Sequence, residues 1–190
     1  PALNTWIAWR GERWEAIKTP YEIVRHAACS IYWEAQLEPD MTKQKKITGW
    51  GLESQQRPRL NAMIELGKQA QKILLPDCEL DASPHLLGVE NGAVDLTTGE
   101  LLPPDRSRFI TKSTGIAYYR EAECPRWKKF VSEIMGGDEE LISFLKRIAG
   151  YALWGGNPEQ VVVILHGLGS NGKSSFVGAL QTALGDYSRQ

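Results

Sequence analysis

Residues 160–186 read Gln160-Val-Val-Val-Ile-Leu-His-Gly167-Leu-Gly169-Ser-Asn171-Gly172-Lys173-Ser174-Ser-Phe-Val-Gly-Ala-Leu-Gln-Thr-Ala-Leu-Gly185-Asp186. The apolar run Val161–Leu165 is typical of a strand that is buried on both faces of a parallel sheet. A glycine-rich turn follows, and the amphipathic pattern from Lys173 to Leu184 predicts a helix that Gly185 ends. The turn fits the pattern G-x-x-x-x-G-K-[ST] in the strand–turn–helix setting where that pattern binds phosphate. The stretch therefore predicts a site for a nucleoside triphosphate.

Each residue type in this turn has a chemical reason to be there. Glycines allow backbone N–H groups to point at phosphate oxygens, and the helix N-terminus adds its partial positive charge. Lys173 brings a positive charge to the outer phosphates, and the Ser174 hydroxyl can ligate Mg²⁺. Asn171 either only tolerates a left-handed backbone angle or also contacts phosphate. We expect ATP and Mg²⁺ as cofactors, with Ser174 as the metal-linked residue and a nucleotide site formed by Gly167, Gly169, Ser170, Asn171, Gly172, Lys173, Ser174 and Ser175.

Composition sets limits on the class of protein. The 190 residues are 42% apolar and 24% charged, which is ordinary for a globular domain, and no apolar run is long enough for a membrane span. We expect no membrane partner. The chain starts with Pro1 and has no signal-peptide pattern, so we expect a piece of a longer cytoplasmic protein. Three cysteines and three histidines are scattered without metal-ligand spacing, which argues against zinc and a disulfide framework.

Turn and cap residues divide the front of the chain into short elements. Trp6–Trp9 and Arg13–Glu15 flank a glycine turn, which predicts a two-stranded hairpin. A helix start is predicted next, where Thr19 caps, Pro20 occupies the first helical position and Glu22 completes a capping box.

The middle of the chain alternates between helical and loop patterns. Residues 39–52 are polar and broken by a proline and two glycines, which predicts a loop. Apolar spacing from Pro58 to Leu75 predicts a second amphipathic helix, and Pro76 is expected to end it.

The remaining elements lead up to the phosphate-binding pattern. Residues 86–102 read as a β-meander with a tight turn at Asn91-Gly92, and residues 103–120 read as loop. Pro125 opens another helix, and Asp138 is expected to cap the one after it.

The order of these motifs resembles the region around the start of the ATPase in phage, plasmid and poxvirus-type primase–helicases. The front hairpin with its tryptophans is similar to the beginning of the accessory domain in that family. The segments that carry the resemblance are Leu87–Leu101, Cys124–Phe130, Gly137–Glu140, Gly150–Leu153, Gly167–Ser174 and Gly185–Tyr187.

The resemblance implies a superfamily 3 DNA helicase. Such a protein is an AAA+ motor that forms a hexameric ring on single-stranded or forked DNA, is often fused to a primase, and acts in the replication of a mobile element in a bacterial host. Lys173 and Ser174 would take the Walker A roles. The Walker B acidic pair, the polar sensor and the arginine finger are expected beyond Gln190, so this chain alone is expected to be inactive as an ATP hydrolase and helicase.

The predicted fold class is mixed α/β. We expect a mainly helical accessory domain with short β-hairpins in 1–115, followed in 116–190 by the truncated start of a P-loop AAA+ ATPase domain. A single strand without neighbours leaves apolar side chains uncovered. Residues past about 158 are therefore expected to be poorly ordered, held by the two preceding helices, or covered by another chain.

Two other functions are compatible with the phosphate-binding pattern. One is a P-loop kinase or other phosphotransferase, and the other is a non-enzymatic DNA or protein adaptor with a vestigial loop. Basic residues near an aromatic side chain can bind phosphate and stack a base, although an ordinary solvated surface also has this composition. The candidates for DNA contact are Lys43, Lys45 and Lys46 near Trp50, with Arg57 and Arg59; further options are Arg106, Arg108, Lys112, Arg126, Lys128 and Lys129.

Overall fold

The computed structural model describes residues 5–71, 73–75, 79–167, 169 and 171–188, and it shows a mixed α/β chain. The described residues contain six α-helices, a two-stranded sheet and a three-stranded antiparallel sheet. Short 3₁₀ turns occupy 106–108 and 185–187. The elements are β1 (Trp6–Trp9), β2 (Trp14–Ile17), α1 (Tyr21–Leu37), α2 (Met41–Ser54), α3 (Arg57–Gly67), β3 (Leu86–Val89), β4 (Gly92–Asp95), β5 (Glu100–Leu102), α4 (Pro125–Ile134), α5 (Glu139–Leu153) and α6 (Lys173–Leu184).

The chain divides into two compact units. The first combines Pro1–Ala8 with Glu15–Asp77, and the second combines Trp9–Trp14 with Cys78–Gln190. The boundary predicted at 115/116 lies inside the second unit. The division into an accessory region and the start of a motor concerns function, and it stays a prediction.

The loop predicted for 39–52 is wrong, because most of this segment forms α2 in the first unit. Asp40 caps the helix, and its side chain accepts hydrogen bonds from the N–H groups of Thr42 (2.8 Å) and Lys43 (3.1 Å). A Cβ atom at Gly51 would lie 3.4 Å from the Ile31 side chain of α1, so the glycine allows the two helices to pack closely. Packing against α1 outweighs the low helix propensity of the two glycines.

Two helix ends in the first unit also differ from the prediction. Pro20 is the N-cap residue of α1, and Thr19 accepts only a 3.3 Å hydrogen bond from the Tyr21 N–H group, so the capping box does not form. Helix α3 ends at Gly67 rather than near Leu75, and a Cβ atom at Gly67 would lie 3.5 Å from the Trp6 ring. The stop predicted at Pro76 lies outside the described residues.

The second unit contains the predicted meander, β3–β4–β5, with Leu86 opposite Asp95 and Val89 opposite Gly92. A Cβ atom at Gly88 would lie 2.2 Å from the Lys112 carbonyl oxygen, so only glycine allows residues 110–114 to run this close to β3. The Tyr187 hydroxyl accepts a hydrogen bond from the Gly88 N–H group (2.8 Å) and donates one to the Lys112 carbonyl (3.2 Å). The meander is thereby fixed to the residues that follow α6.

The strand predicted over Val161–Leu165 is absent from the sheets of the described residues. This run has no hydrogen-bonded neighbour strand there, and all five side chains are exposed. A strand is defined by pairing, so the apolar pattern alone does not produce one. One of the outcomes expected for the residues past 158 is found, because the preceding helices α4 and α5 hold α6. The apolar run Val161–Leu165 stays uncovered.

Candidate nucleotide-binding loop and nucleic-acid interface

Helix α6 is anchored in a small hydrophobic core that it shares with α4 and α5. Phe176 is buried and stacks on Trp127 of α4, with 5.6 Å between ring centroids and 19° between ring planes. Val131, Ile142 and Leu145 complete the buried part of this cluster. The Asp138 cap predicted for α5 is confirmed, because its side chain accepts hydrogen bonds from the first-turn N–H groups. The start of α6, where the phosphate-binding pattern ends, is therefore held on two packed helices.

The amino group of Lys173 lies at the centre of the loop. Its Nζ atom donates to the Gly167 carbonyl oxygen at 3.0 Å and to the Asn171 side-chain oxygen at 2.5 Å. A Cβ atom at Gly167 would lie 2.2 Å from Asn171 Nδ2, so the first glycine of the pattern leaves space for that amide. Asn171 therefore positions the lysine in addition to forming part of the turn.

Gly172 requires a glycine for two reasons. Its φ angle is +79°, in the left-handed region, and a Cβ atom there would lie 2.6 Å from Ile134 Cγ2 of α4. As the N-cap residue of α6 it has no side chain, so no side-chain cap bonds the first-turn N–H groups. These N–H groups and the Lys173 ammonium fit the phosphate of a nucleotide.

The other described residues of the predicted nucleotide site lie in the same loop and in the first turn of α6. Ser174 and Ser175 are exposed in the first turn of α6, and Gly169 is exposed in the loop. Ser170 lies outside the described residues. The described residues contain no group of three or more His, Cys, Asp and Glu side chains suited to a metal. A bound Mg²⁺ would therefore depend on Ser174 together with the phosphates.

The first group of basic candidates for DNA contact lies on helix α2. Lys43, Lys45 and Lys46 are exposed on α2, with Trp50 one turn further and 54% exposed. At 100° per residue, Lys43, Lys46 and Trp50 share one face of the helix, whereas Lys45 lies on the opposite side. We call Lys43, Lys46 and Trp50 the α2 stripe.

The remaining basic candidates do not form one surface. Arg57 is exposed at the start of α3, while Arg59 pairs with Glu53 at 2.7 Å. Arg126 and Lys128 are exposed on α4, and Lys129 lies 3.8 Å from Glu133. Arg106 is exposed, whereas Arg108 and Lys112 line a cavity in the second unit. The sequence did not indicate this cavity, because its walls come from segments far apart in the chain.

Comparison with protein families identifies the family of this chain. Residues 1–136 match the family model described as D5 N terminal like. The chain belongs to the D5 N-terminal-like family. The family model describes the N-terminal region of D5-like primase–helicase proteins. These proteins are enzymes, and their family is involved in replication.

The resemblance to primase–helicases is therefore confirmed at the level of the family. The match of the D5 N-terminal-like model ends at residue 136, so the loop from Gly167 to Ser175 lies outside it. No curated protein matches the chain in sequence. Within the described ranges, no helix combines the length and the apolar content needed to cross a membrane.

Proposed function

We propose that this chain is part of an ATP-dependent DNA helicase or primase–helicase that replicates the DNA of a phage, plasmid or other mobile element in the bacterial cytoplasm. The part played by residues 167–175 is to bind ATP with Mg²⁺. The observation that carries this proposal is the Lys173 ammonium, which is bonded to the Gly167 carbonyl and the Asn171 amide at the start of α6. In the parent protein, copies of this motor assemble as a hexameric ring on single-stranded or forked DNA, with a fused or associated primase.

The bonds of Lys173 suit a group that receives phosphate. An ammonium has three N–H donors, and the two bonds described use neutral oxygens as acceptors. A bond from an ammonium to a phosphate oxygen is stronger than one to a neutral carbonyl, so phosphate can replace either acceptor. The first-turn N–H groups of α6 point to the same side as the helix N-terminus, where an anion is favoured.

The exposed run Val161–Leu165 supports a motor sheet that other strands complete. The exposed fractions are 45%, 84%, 45%, 82% and 36%, which alternate with the period of an extended strand. Both sets of side chains are apolar, as in a strand that is covered on both faces. We propose that strands of the same sheet pair with this run and cover it.

The α2 stripe is the part of the first unit that best suits single-stranded DNA. Lys43 and Lys46 are exposed cations on the same helix face as the exposed indole of Trp50. Backbone phosphates bind such cations, and a base stacked on an aromatic ring contributes about 1–3 kcal/mol. We propose that this face holds a DNA strand, with Arg57 as a further contact.

Titration of a fluorescent ATP analogue in the presence of Mg²⁺ tests the nucleotide proposal. Lys173→Ala removes charge-assisted bonds to phosphate, so we expect affinity to fall by at least about tenfold. Lys129→Ala is the matched control, because this lysine is 79% exposed and lies on α4 of the same unit. Equal affinity of Lys173→Ala and the unaltered chain would contradict ATP binding by this loop.

The same titration distinguishes the alternative functions. A vestigial loop on an adaptor predicts no binding by either protein. A phosphotransferase predicts binding followed by transfer of the γ-phosphoryl group to a small acceptor, which mass spectrometry of the products detects. The helicase proposal predicts binding without such transfer.

A further inference from the structure

A cavity of about 380 Å³ lies within the second unit and is separate from the residues of the phosphate-binding loop. Its walls are residues 81–86, residues 108–112, the end of α5 with Trp154 and the two glycines after it, and Tyr187. The volume lies in the range of sites for small molecules. The D5 N-terminal-like match covers residues 81–86 and 108–112 but assigns them no ligand, and the nucleotide-binding pattern does not include them, so the cavity needs its own explanation.

The walls are held by specific contacts. The Gly155 N–H group donates to the Pro84 carbonyl at 2.9 Å, and a Cβ atom at Gly155 would lie 2.9 Å from the Pro84 Cα atom. The Asp81 carboxylate accepts hydrogen bonds from the backbone N–H group and the hydroxyl of Thr111. The end of α5 and residues 108–112 are thus each tied to residues 81–86, and the cavity has a fixed shape.

Two cations, Lys112 and Arg108, line the cavity together with one carboxylate, Asp81. Lys112 is half-buried, and its ammonium lies 5.8 Å from the centre of the Tyr187 ring, with no carboxylate at ion-pair distance in the described part of the chain. Arg108 bonds the Pro103 carbonyl and is 4.0 Å from Asp105. Asp81, the acidic residue of the lining, already accepts the two bonds from Thr111. Two cations against one carboxylate leave the lining with an excess of positive charge, and a half-buried ammonium with no carboxylate at ion-pair distance in the described residues favours an anionic ligand.

An apolar and aromatic wall completes the cavity. Leu153 and Trp154 at the end of α5 are each 36% exposed, and Ile110 is 8% exposed. The flat indole of Trp154 offers a surface on which a base can stack. A ligand that suits both walls has a phosphate and a flat ring.

We propose that this cavity binds a nucleoside phosphate, with the phosphate at Lys112 and Arg108 and the base against Trp154. The ligand is either a free nucleotide or one nucleotide of a DNA strand, since the two share this chemistry. The site does not depend on the loop at Lys173, so it goes beyond the proposed ATP site.

Fluorine NMR of the chain labelled with 5-fluorotryptophan tests the proposal. The signal of Trp154 is identified by its loss in Trp154→Phe. We expect thymidine monophosphate or a ten-residue oligothymidylate to shift this signal, and we expect Lys112→Met to weaken the response by at least about tenfold. Lys129→Met, on the exposed face of α4, should respond like the unaltered chain. Thermal unfolding of each variant checks that it is folded.

The arms of the titration separate the sources of the ligand. A shift with the monophosphate supports a free nucleotide, and a shift with the oligonucleotide alone supports a strand. A response to inorganic phosphate equal to that of the nucleotides, or no response to any of them, would overturn the proposal. Lys173→Ala must leave the Trp154 response unchanged; loss of the response in that variant would assign it to the phosphate-binding loop and also overturn the proposal.

Discussion

Replacing Phe176 with alanine should release α6 from the helices that hold it. The side chain is only 5% exposed and stacks on Trp127 at 5.6 Å. Removing a buried phenylalanine costs about 3–5 kcal/mol. Helix α6 has 12 residues, a length at which an isolated helix is marginal in water. We therefore expect Phe176→Ala to leave α4 and α5 folded and to let α6 open far more often.

Hydrogen exchange of the α6 amides, followed by mass spectrometry, measures this opening. A loss of 3 kcal/mol corresponds to opening about 150 times more often. The same variant should lose affinity for the fluorescent ATP analogue, because the N–H groups proposed to face the phosphate belong to the first turn of α6. Val177→Ala is the control, since its side chain is 38% exposed on the same helix. If α6 of Phe176→Ala exchanged at the rate of the unaltered chain, the hydrophobic anchor would not be what holds the loop.

Two further predictions concern the first unit and the contact between the meander and the chain after α6. The double variant Lys43→Met/Lys46→Met should lower the magnitude of the slope of log affinity against log salt concentration for oligothymidylate by about 1.4. Fluorescence anisotropy at several salt concentrations measures this slope, and Lys45→Met should not change it. Equal slopes in the unaltered chain and both variants would contradict DNA binding by the α2 stripe. Burial raises the pKa of Tyr187, so the unfolded chain loses this proton first and stability should fall as pH rises above about 10. Urea unfolding at pH 9 and 11 should show a smaller fall in Tyr187→Phe than in Tyr119→Phe, whose ring is 69% exposed, and the same fall in both would refute the assignment.

The elements that were predicted correctly are those that local signals specify. Asp138 caps α5 with two hydrogen bonds to its first turn, and α6 covers the residues predicted for it, Lys173–Leu184. The pairing of β3 with β4 also follows from a short turn, although the turn lies at Glu90-Asn91 rather than at the predicted Asn91-Gly92, because Gly92 is already paired with Val89. In each case the residues that determine the structure lie within a few positions of each other.

The errors arise where distant contacts decide. Gly51 reads as a helix breaker in the sequence, yet it is buried within α2 and lies against Ile31 of α1. Gly67, where α3 ends, lies beside the Trp6 ring, which is 61 positions earlier in the chain. The sequence does not indicate the cavity beside Lys112 for the same reason, because residues from four separate segments form its walls.

Because most of residues 39–52 are helical, the hypothesis about DNA contact becomes more specific. In a loop, Lys43, Lys45 and Lys46 would be interchangeable contacts. On α2 the rotation of 100° per residue groups Lys43 and Lys46 with Trp50 and directs Lys45 away from them. The groups proposed to bind phosphate and to stack a base then lie on the same face, and Lys45 becomes an internal control.

The apolar run Val161–Leu165 supports the proposal that the loop at Gly167–Ser175 belongs to a motor with further strands. Fully burying a side chain such as valine, leucine or isoleucine contributes about 1.5–3 kcal/mol, so covering the exposed fractions of these five residues would contribute roughly 4–9 kcal/mol. That is comparable with the whole stability of a small domain. The loop at Gly167–Ser175 follows this run directly, so strands that cover the run would also fix the direction from which the loop meets a phosphate. We therefore expect pairing of Val161–Leu165 and tight nucleotide binding to occur together.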